Sequence, residues 1–453
     1  MIRLRRFRRH TAALLAAVTV TTGAAAVAHA AVAVTVTVGE ATAGRSGPGF
    51  AGFSYEKDRV GAGVFDARNT GLVALFRLLG PGVLRLGGNL ADMVGWNPDG
   101  AGGSATEIAP SDVDKLAGFL KAAGWKALYG INLKQNTAAR AASEAAYAAK
   151  ALGTTLAAFE IGNEPNYYRS EPAYETSYDS YVKAIRARVP GALFDGPGAA
   201  SDTSWPMPFA THERAAGLAV LSMHTYIGPN TAASVAGMLA STAPGGALAR
   251  QWSAMAAAKA AGGIGQWRMT EANSYFHGGA PGVSDVQAAA LWALDFLNGV
   301  ASHDGSGVHF HGGTSTQFPL YYSPIAFAGS VPTGVQAVYY AELLWSLAGT
   351  GPVHAATVSG ASGVSAWGIG DAVVVNNKSG SALTATVRPA GTVTAADAYV
   401  LTAPALTSKA VTIAGSAVTA NGDFHPQPRA LPVSGGTVTA TVPSGSAVLI
   451  RTR

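Results

Sequence analysis

The 453-residue sequence contains no cysteine, and only 13% of its residues are charged. Without thiols, disulfide bonds, thiolate nucleophiles and cysteine-ligated zinc are excluded. Hydrophobic residues make up 48% of the chain, a share typical of a folded globular protein and not of a disordered one. The fold must therefore rest on its hydrophobic core, because no covalent cross-link supports it.

A basic surface for nucleic acid is also missing once the N-terminus is set apart. The first thirty residues carry five arginines and no acid, so the remaining chain has 31 − 5 = 26 basic residues against 26 acidic ones. Binding to the phosphate backbone depends on clustered lysine and arginine, which this balance does not offer. We therefore expect no nucleic-acid partner.

The N-terminal segment 1–30 is typical of a signal peptide. Its arginines precede a short apolar run, and Ala28-His29-Ala30 supplies a small-x-small cleavage site. The run is weakly hydrophobic and no stop-transfer pattern follows it, which argues against a lasting membrane anchor. We expect a secreted protein without a stable anchor after cleavage, exported by the Sec or the twin-arginine route.

Strand-like and helix-like runs alternate between residues 49 and 348, which predicts βα units and a parallel sheet. Neither GxGxxG nor GxxxxGK[ST] follows the first strand, so an open nucleotide-binding sheet is disfavoured. Eight units favour a closed (β/α)8 TIM barrel. The predicted strands are Phe50–Tyr55, Val83–Gly87, Ala127–Asn132, Ala157–Gly162, Ala192–Asp195, Ala219–Thr225, Gln266–Thr270 and Val308–His311.

The composition changes after residue 348 to short alternating runs of Val, Thr, Ala, Gly and Ser. This pattern, with turn dipeptides such as Asn421-Gly422, predicts an antiparallel β-sandwich over 349–453. The segment 31–48 is rich in β-branched residues, and we expect it to join the sandwich as a further strand. The predicted protein is therefore α/β, with a barrel and a C-terminal sandwich that also takes the N-terminal strand.

Two of the predicted barrel strands lead into a carboxylate at the end where TIM barrels place their active sites. The fourth leads into FEIGNEPN (residues 159–166) and the seventh into WRMTEAN (residues 267–273). Strands four and seven lie across the barrel mouth, so Glu164 and Glu271 can face one another over a bound sugar. Such a pair suits glycoside hydrolysis, in which one carboxyl protonates the leaving oxygen and the other attacks the anomeric carbon. Glu160 should lie one layer lower and pair with Arg85.

The sixth strand ends in His224-Thr225-Tyr226. We expect the hydroxyl of Tyr226 to hydrogen-bond the carboxylate that attacks the sugar and to keep it ionised, with His224 supporting Tyr226 from the same face. His309 and His311 form an H-x-H pair that fits a cleft lining better than a metal site, because no third ligand is indicated. Trp96, Trp205 and Trp292 are candidates for stacking on sugar rings.

The stretch EANSYFHGGAPGVSD (residues 271–285) resembles the nucleophile region of glycoside hydrolase family 79, the heparanase and β-glucuronidase family. FEIGNEPN looks like the acid/base motif of that family. The resemblance extends through Ser54-Tyr55-Glu56, Arg85-Leu86-Gly87-Gly88 and His224-Thr225-Tyr226 to the sandwich, and so covers nearly the whole chain after the signal segment.

The resemblance implies a retaining mechanism with Glu164 as acid/base and Glu271 as nucleophile, about 5–5.5 Å apart. It also implies that Asn163 contacts the sugar 2-hydroxyl. We expect Glu56 to hold hydroxyls further round the ring. No cofactor and no metal is needed for this chemistry.

The sugar is indicated by the loop after the nucleophile, where the family recognises the uronate carboxylate. The matching positions here are Phe276, His277 and Gly278, and Phe276 has no hydroxyl to donate. If His277 or the Gly278 N–H, together with Tyr321 or Tyr322, supplies the donors, the substrate is a β-glucuronide, which we favour. A neutral β-glucoside or β-galactoside is the alternative within this chemistry, and a non-catalytic carbohydrate-binding protein is the alternative outside it.

The signal segment gives a direct prediction about the exported product. Protein recovered outside the cytoplasmic membrane should have an N-terminal sequence beginning near Ala31, because signal peptidase cuts after the small-x-small site. Edman sequencing or intact-mass measurement checks this. An intact Met1 on a membrane-bound product would contradict it.

Overall fold

The computed structural model describes residues 30–315 and 317–453, so the predicted signal segment lies outside the described residues except for residue 30. Ala31–Arg453 forms one compact unit. Its first element is a long strand, β1 (Val32–Ser46). Among the described residues, no helix is both long and apolar enough to cross a bilayer.

Strands and helices alternate over the next 300 residues. In chain order they are β2 (Ala51–Glu56), α1 (Asp58–Gly61), α2 (Thr70–Leu78), β3 (Val83–Gly87), β4 (Gly95–Trp96), β5 (Glu107–Ile108), α3 (Pro110–Ala123), β6 (Lys126–Ile131), α4 (Ala138–Leu152), β7 (Leu156–Ile161), α5 (Glu171–Arg188), β8 (Phe194–Ala200), α6 (Pro206–His212), β9 (Val220–Pro229), α7 (Val235–Ala240), α8 (Ala247–Gly262), β10 (Gln266–Phe276), α9 (Gln287–Ser302), β11 (Val308–Gly312), β12 (Ile325–Ala328), β13 (Val331–Val335) and α10 (Ala337–Ala348).

The predicted TIM barrel is confirmed. Within the described part of the chain, β2, β3, β6, β7, β8, β9, β10 and β11 close a barrel of eight parallel strands, with β11 pairing back onto β2. Each of the eight predicted strands corresponds to one of these. The barrel interior and the helix layer share one large hydrophobic core, as expected when both faces of a parallel sheet are covered.

The seventh barrel strand departs from its prediction. It was expected to end at Thr270, but β10 continues to Phe276 and pairs with β9 along most of that length. Its register against β9 shifts between Met269 and Glu271, so β10 carries one extra residue there. An extra residue of this kind turns the following side chain to a new direction, and here the side chain that follows is that of Glu271.

The remaining strands are β14 (Gly351–Ser359), β15 (Val364–Ile369), β16 (Ala372–Asn377), β17 (Leu383–Arg388), β18 (Ala396–Thr402), β19 (Thr412–Ile413), β20 (Arg429–Ala430), β21 (Val433–Ser434), β22 (Thr437–Val442) and β23 (Ser446–Thr452). Together with β1 they form one curled sheet, eleven-stranded over the residues described. β1 lies between β14, which is antiparallel to it, and β17, which is parallel. The N-terminal strand therefore joins the C-terminal layer as predicted, and its alternate valines lie in that layer's core.

The curled sheet braces the helices behind the seventh and eighth barrel strands. In β16, Asn376 donates from Nδ2 to the Leu291 carbonyl and to Asp295 Oδ1 of α9, each at 2.9 Å. Trp345 of α10 donates from its indole nitrogen to Ser46 Oγ of β1 at 3.0 Å. Since α9 directly follows the strand and loop that carry Glu271 and its neighbours, the sheet holds that side of the barrel in place.

Candidate active site

A cleft of about 690 Å³ opens at the carboxyl ends of the barrel strands. Both predicted catalytic residues, Glu164 and Glu271, lie on its surface. Its other lining residues are Glu56, Arg59, Asn89, Leu90, Tyr167, Ala200, Ser201, His224, Thr225, Tyr226, Gly228, Phe276, His277, His311, Thr314, Ser315, Gln317, Phe318, Leu320 and Tyr322.

Glu164 is fixed by a tight turn directly after β7. Its backbone has φ 47° and ψ 53°, the left-handed conformation that residues with a Cβ rarely adopt, and Pro165 then starts a 3-10 turn. A conformation of this kind costs about 1–3 kcal/mol and is found most often at functional sites. The Glu164 N–H donates to the Gly198 carbonyl at 3.2 Å, which ties the turn to the neighbouring strand.

Glu271 is bound on both carboxylate oxygens. The Tyr226 hydroxyl donates to Oε1 at 2.7 Å, and Arg85 donates from Nη1 to Oε2 at 2.6 Å. The predicted contact between Tyr226 and the nucleophile position is thus present. The carboxylate is almost fully buried, so these bonds form in a low-dielectric setting where they are strong.

The electrostatics favour an ionised Glu271. Burial raises the pKa of the Glu271 carboxyl, but the charge that His311 carries at acidic pH, the charges of Arg85 and His224 and the bond from Tyr226 outweigh burial and lower the pKa to about 2. Burial keeps the pKa of His311 below its usual value. His311 is therefore uncharged at neutral pH, and Arg85, His224 and Tyr226 are the groups that keep Glu271 a carboxylate.

Arg85 is fully buried at the centre of this arrangement. Its Nε donates to Glu160 Oε2 at 2.5 Å, which confirms the predicted Arg85–Glu160 pair. Its Nη2 also donates to Asn163 Oδ1 at 2.8 Å, in addition to the Nη1 bond to Glu271. Sequence reasoning missed these last two bonds, because strand parity places a side chain in a layer but does not say which neighbours it reaches.

Asn163 is nearly buried just beneath the cleft surface. With its carbonyl oxygen bound to Arg85, its amide nitrogen points toward Asn89 Oδ1, at 3.5 Å, and Asn89 lines the cleft. The amide N–H₂ is therefore the part of Asn163 left to donate to a ligand. Its predicted contact with the sugar 2-hydroxyl stays a prediction.

His224 contacts both Glu164 and Glu160, and Glu160 lies one layer deeper in the barrel. Its Nδ1 lies 3.3 Å from Glu164 Oε1 and its Nε2 lies 3.4 Å from Glu160 Oε1. Burial and the charge of Arg85 act to lower the pKa of His224, but the bonds to the two glutamates outweigh them and raise it to about 9. The predicted support for Tyr226 is thus replaced by contacts with two acids, and the imidazole is cationic at neutral pH.

Glu56 ends the first barrel strand on the opposite side of the cleft. Its Oε2 accepts from the Leu90 N–H at 2.7 Å. A Cβ on the neighbouring Gly88 would lie 2.3 Å from the same oxygen, so only glycine lets the backbone pass there. Burial and the charge of Glu271 raise the pKa of Glu56 to about 8. At neutral pH it is largely protonated and can donate a hydrogen bond to a sugar hydroxyl.

The loop after the nucleophile position only partly matches its prediction. His277 and Tyr322 line the cleft, and the rings of Tyr322 and Tyr226 are 6.0 Å apart. Gly278 and Tyr321 are not among the lining residues. Instead, the Gly278 carbonyl accepts the N–H groups of Tyr321, at 2.7 Å, and Tyr322, at 3.3 Å, which joins the two loops.

The histidine pair on the eighth strand divides between two layers. His311 lines the cleft, with Nδ1 3.1 Å from Ser54 Oγ and 3.7 Å from Glu271 Oε2. The expectation that His309 also lines it is wrong, because His309 is fully buried and accepts a bond from Arg268 Nε at 2.8 Å. The tryptophans suggested for stacking lie in the core and not among the described residues of the cleft: Trp96, Trp205 and Trp292.

Arg59 is a cleft residue that sequence reasoning missed. It is paired with its neighbour Asp58 and donates from Nη1 to Thr314 Oγ1 at 2.6 Å. A signal for it was present, since a basic residue three positions after Glu56 lies close to the carboxyl end of the first barrel strand, where a TIM barrel places its active site. This places a fixed positive charge on the cleft wall, close to the side on which Glu56 lies.

Comparison with known proteins gives one sequence relative and several structural ones. A β-glucuronidase of Aspergillus niger is 26% identical over 305 residues, which cover 58% of this chain and 56% of the relative. Over that stretch the chain is similar to this β-glucuronidase. The predicted resemblance to that family is thereby supported, although the match spans only about half the length of the curated relative. No protein-family model matches the chain.

The structural relatives show the same fold. A 4-O-α-L-rhamnosyl-β-D-glucuronidase of Fusarium oxysporum aligns over 92% of this chain and 100% of its own, with a TM-score of 0.78 and 21% identity. A family 51 α-L-arabinofuranosidase of Bifidobacterium longum aligns over 93% and 100%, with a TM-score of 0.67 and 16% identity. At these identities the likeness establishes the barrel and the curled sheet, not the substrate.

The buried pairing of Arg85 leads to a prediction for stability. Arg85→Leu should lower the free energy of unfolding by about 3–5 kcal/mol, because Glu160 and Glu271 would stay buried without their shared cation. Arg68→Leu is the matched control, since Arg68 pairs with Asp66 on an exposed surface, and it should leave stability nearly unchanged. Urea unfolding at neutral pH measures both. Equal stability of the Arg85→Leu variant and the unchanged protein would contradict the prediction.

Proposed function

We propose that the protein is an exported, retaining β-glucuronidase that hydrolyses β-linked glucuronic acid from glycans or glycoconjugates. The observation that carries the proposal is that two carboxyl groups, Glu164 and Glu271, line one cleft in different electrostatic settings. Glu271 is held ionised by Arg85 and Tyr226, as a nucleophile requires. Support for the sugar comes from the similarity of the chain to the Aspergillus and Fusarium proteins, both glucuronidases.

The reaction follows from these positions. Glu271 attacks the anomeric carbon while Glu164 gives its proton to the departing glycosidic oxygen, which forms a covalent glycosyl-enzyme and releases the aglycone. Glu164, now a carboxylate, takes a proton from water, which attacks the same carbon and frees Glu271 with overall retention. The proton is thus returned to Glu164, and no cofactor takes part.

His224 suits the change of charge on Glu164 between the two steps. The cationic imidazole lies 3.3 Å from Glu164 Oε1 and stabilises the carboxylate that forms after proton donation. Tyr226 donates to Glu271 before the attack, and that bond must weaken as the carboxylate charge passes into the new ester bond. Asn163 would then donate its remaining amide proton to the 2-hydroxyl, a contact that strengthens with oxocarbenium character.

Recognition of the uronate carboxylate is proposed for the residues on the cleft wall that carry donors. Of those predicted from the loop, His277 and Tyr322 line the cleft, and Arg59 adds a positive charge nearby. A buried carboxylate without such partners would be costly. Phe276 is the observation that favours the alternative, a neutral-sugar β-glycosidase, because its ring lines the cleft and offers no donor.

The mechanism predicts different behaviour for the two glutamates. Glu271→Ala should abolish turnover, and azide should restore it with formation of the inverted glycosyl azide, because a small anion can take the place of the missing nucleophile. Glu164→Ala should lose most activity on sugars with poor leaving groups and keep more on nitrophenyl sugars, since only the former need protonation. Release of the inverted sugar by the unchanged enzyme would refute the assignment.

The sugar assignment predicts the order of substrates. Nitrophenyl β-glucuronide should have a higher kcat/KM than nitrophenyl β-glucoside, and His277→Ala or Tyr322→Phe should lower the glucuronide value by roughly 10–100-fold, as expected for a lost bond to a charged group. Tyr321→Phe is the matched control, because Tyr321 is not a lining residue. A glucoside value equal to or above the glucuronide value, with His277→Ala changing neither, would favour the neutral-sugar alternative. No turnover of either sugar would favour a binding protein.

A further inference from the structure

A cluster of acidic residues surrounds a histidine on the outer face of the barrel, between α5 and α6. Glu175 and Asp179 follow one another at four-residue spacing on one face of α5, with Glu171 a turn earlier. His212 ends α6 and Glu213 follows it. Among the described residues that line the catalytic cleft, none comes from this cluster.

The imidazole of His212 has a carboxylate near each ring nitrogen. Nε2 lies 3.0 Å from Asp179 Oδ2 and 3.9 Å from Glu213 Oε1, whereas Nδ1 lies 3.5 Å from Glu175 Oε2. One ligand atom from each of Asp179, His212 and Glu213 lies within 4.8 Å of the other two. These atoms are close enough to meet on one ion after small rotations of the exposed Asp179 and His212 side chains.

Glu213 supplies a second, independent observation. Its side chain is only 3% exposed, yet its Oε1 has no hydrogen-bond partner among the described residues and faces the imidazole. A buried oxygen left without a partner is costly. Arg186, the cation acting on Glu213, donates from Nη2 to the Ala216 carbonyl instead. His212 is the group of this cluster that can carry a positive charge, and at 3.9 Å it is too far from Glu213 Oε1 to form a hydrogen bond.

We propose that Asp179, His212 and Glu213 bind a divalent metal ion, with Zn²⁺ as the best fit. Two carboxylate oxygens and one imidazole nitrogen are ligands that zinc accepts, and water would complete the four-coordinate shell. Glu175 stands where it can accept the Nδ1 proton of His212, the arrangement that orients metal-binding histidines in proteins. The chain has no cysteine that would compete for the ion.

The site would stabilise the structure without entering the reaction. It would join α5 to α6, the helices that follow β7 and β8, and α5 begins seven residues after Glu164. A bound ion would thus stabilise α5, the helix that follows β7 and the turn carrying Glu164. The inference does not depend on the proposed glucuronidase activity.

Zinc titration of the tag-free full-length protein tests the proposal, after EDTA treatment and dialysis to remove the EDTA. Calorimetric titration with ZnCl₂ should give one ion per chain with a Kd in the micromolar range. Scanning calorimetry with zinc at about a hundredfold excess over Kd should raise Tm by roughly 2–4 °C. A protein that neither binds zinc nor shifts its Tm would overturn the proposal.

Two variants and a control locate the ion. Asp179→Asn and His212→Gln should each weaken zinc binding at least tenfold and remove the Tm shift, and both side chains are exposed enough for the variants to fold. His425→Gln is the matched control, because His425 is an exposed histidine of the curled sheet region, and it should bind as the unchanged protein does. Full affinity in both cluster variants would place zinc elsewhere and contradict the proposal. Nitrophenyl glycoside turnover, measured in parallel, reports on the proposed function separately.

Discussion

The buried guanidinium of Arg85 is the interaction on which the candidate site depends. It lies at the mouth of the barrel with no exposed surface and donates to Glu160, Glu271 and Asn163 from its different nitrogens. A buried charge is tolerated only when it is paired and fully hydrogen-bonded. Arginine meets this condition here because its planar fork reaches β7, the turn after β7 and β10 at once, which lysine could not do.

The charge of Arg85 also affects which of the neighbouring carboxyl groups are ionised. Glu160, one layer below, is ionised and bound to Arg85 and His224, whereas Glu271 is ionised and open to the cleft. Glu56, whose pKa is raised by burial and by the charge of Glu271, becomes a neutral donor on the opposite wall. Arg85 therefore keeps Glu160 and Glu271 ionised, whereas burial and the charge of Glu271 keep Glu56 protonated, so acids close together hold different protonation states.

The sequence predicted the elements that depend on local pattern. Alternation of apolar strands and helices gave the eight barrel strands, and the β-branched segment at the N-terminus joined the curled sheet as expected. Strand parity gave the Arg85–Glu160 pair.

Features that depend on three-dimensional packing were not predicted from the sequence. The extra residue of β10 before Glu271 has no local signature, and the separation of His309 from His311 follows from the depth of each side chain in the barrel. Gly278 was expected to donate its N–H to substrate, but its carbonyl joins two loops.

In the proposed mechanism, Glu271 attacks the sugar and carries it as a covalent intermediate. The most direct measurement uses a 2-deoxy-2-fluoro-β-glucuronyl fluoride, because fluorine at carbon 2 slows both steps while the fluoride leaving group speeds only the first, so the intermediate accumulates. Peptide mass spectrometry of the inactivated protein should find the added sugar on Glu271. A label on Glu164 or another residue, or turnover that gives the inverted sugar without any label, would contradict the account.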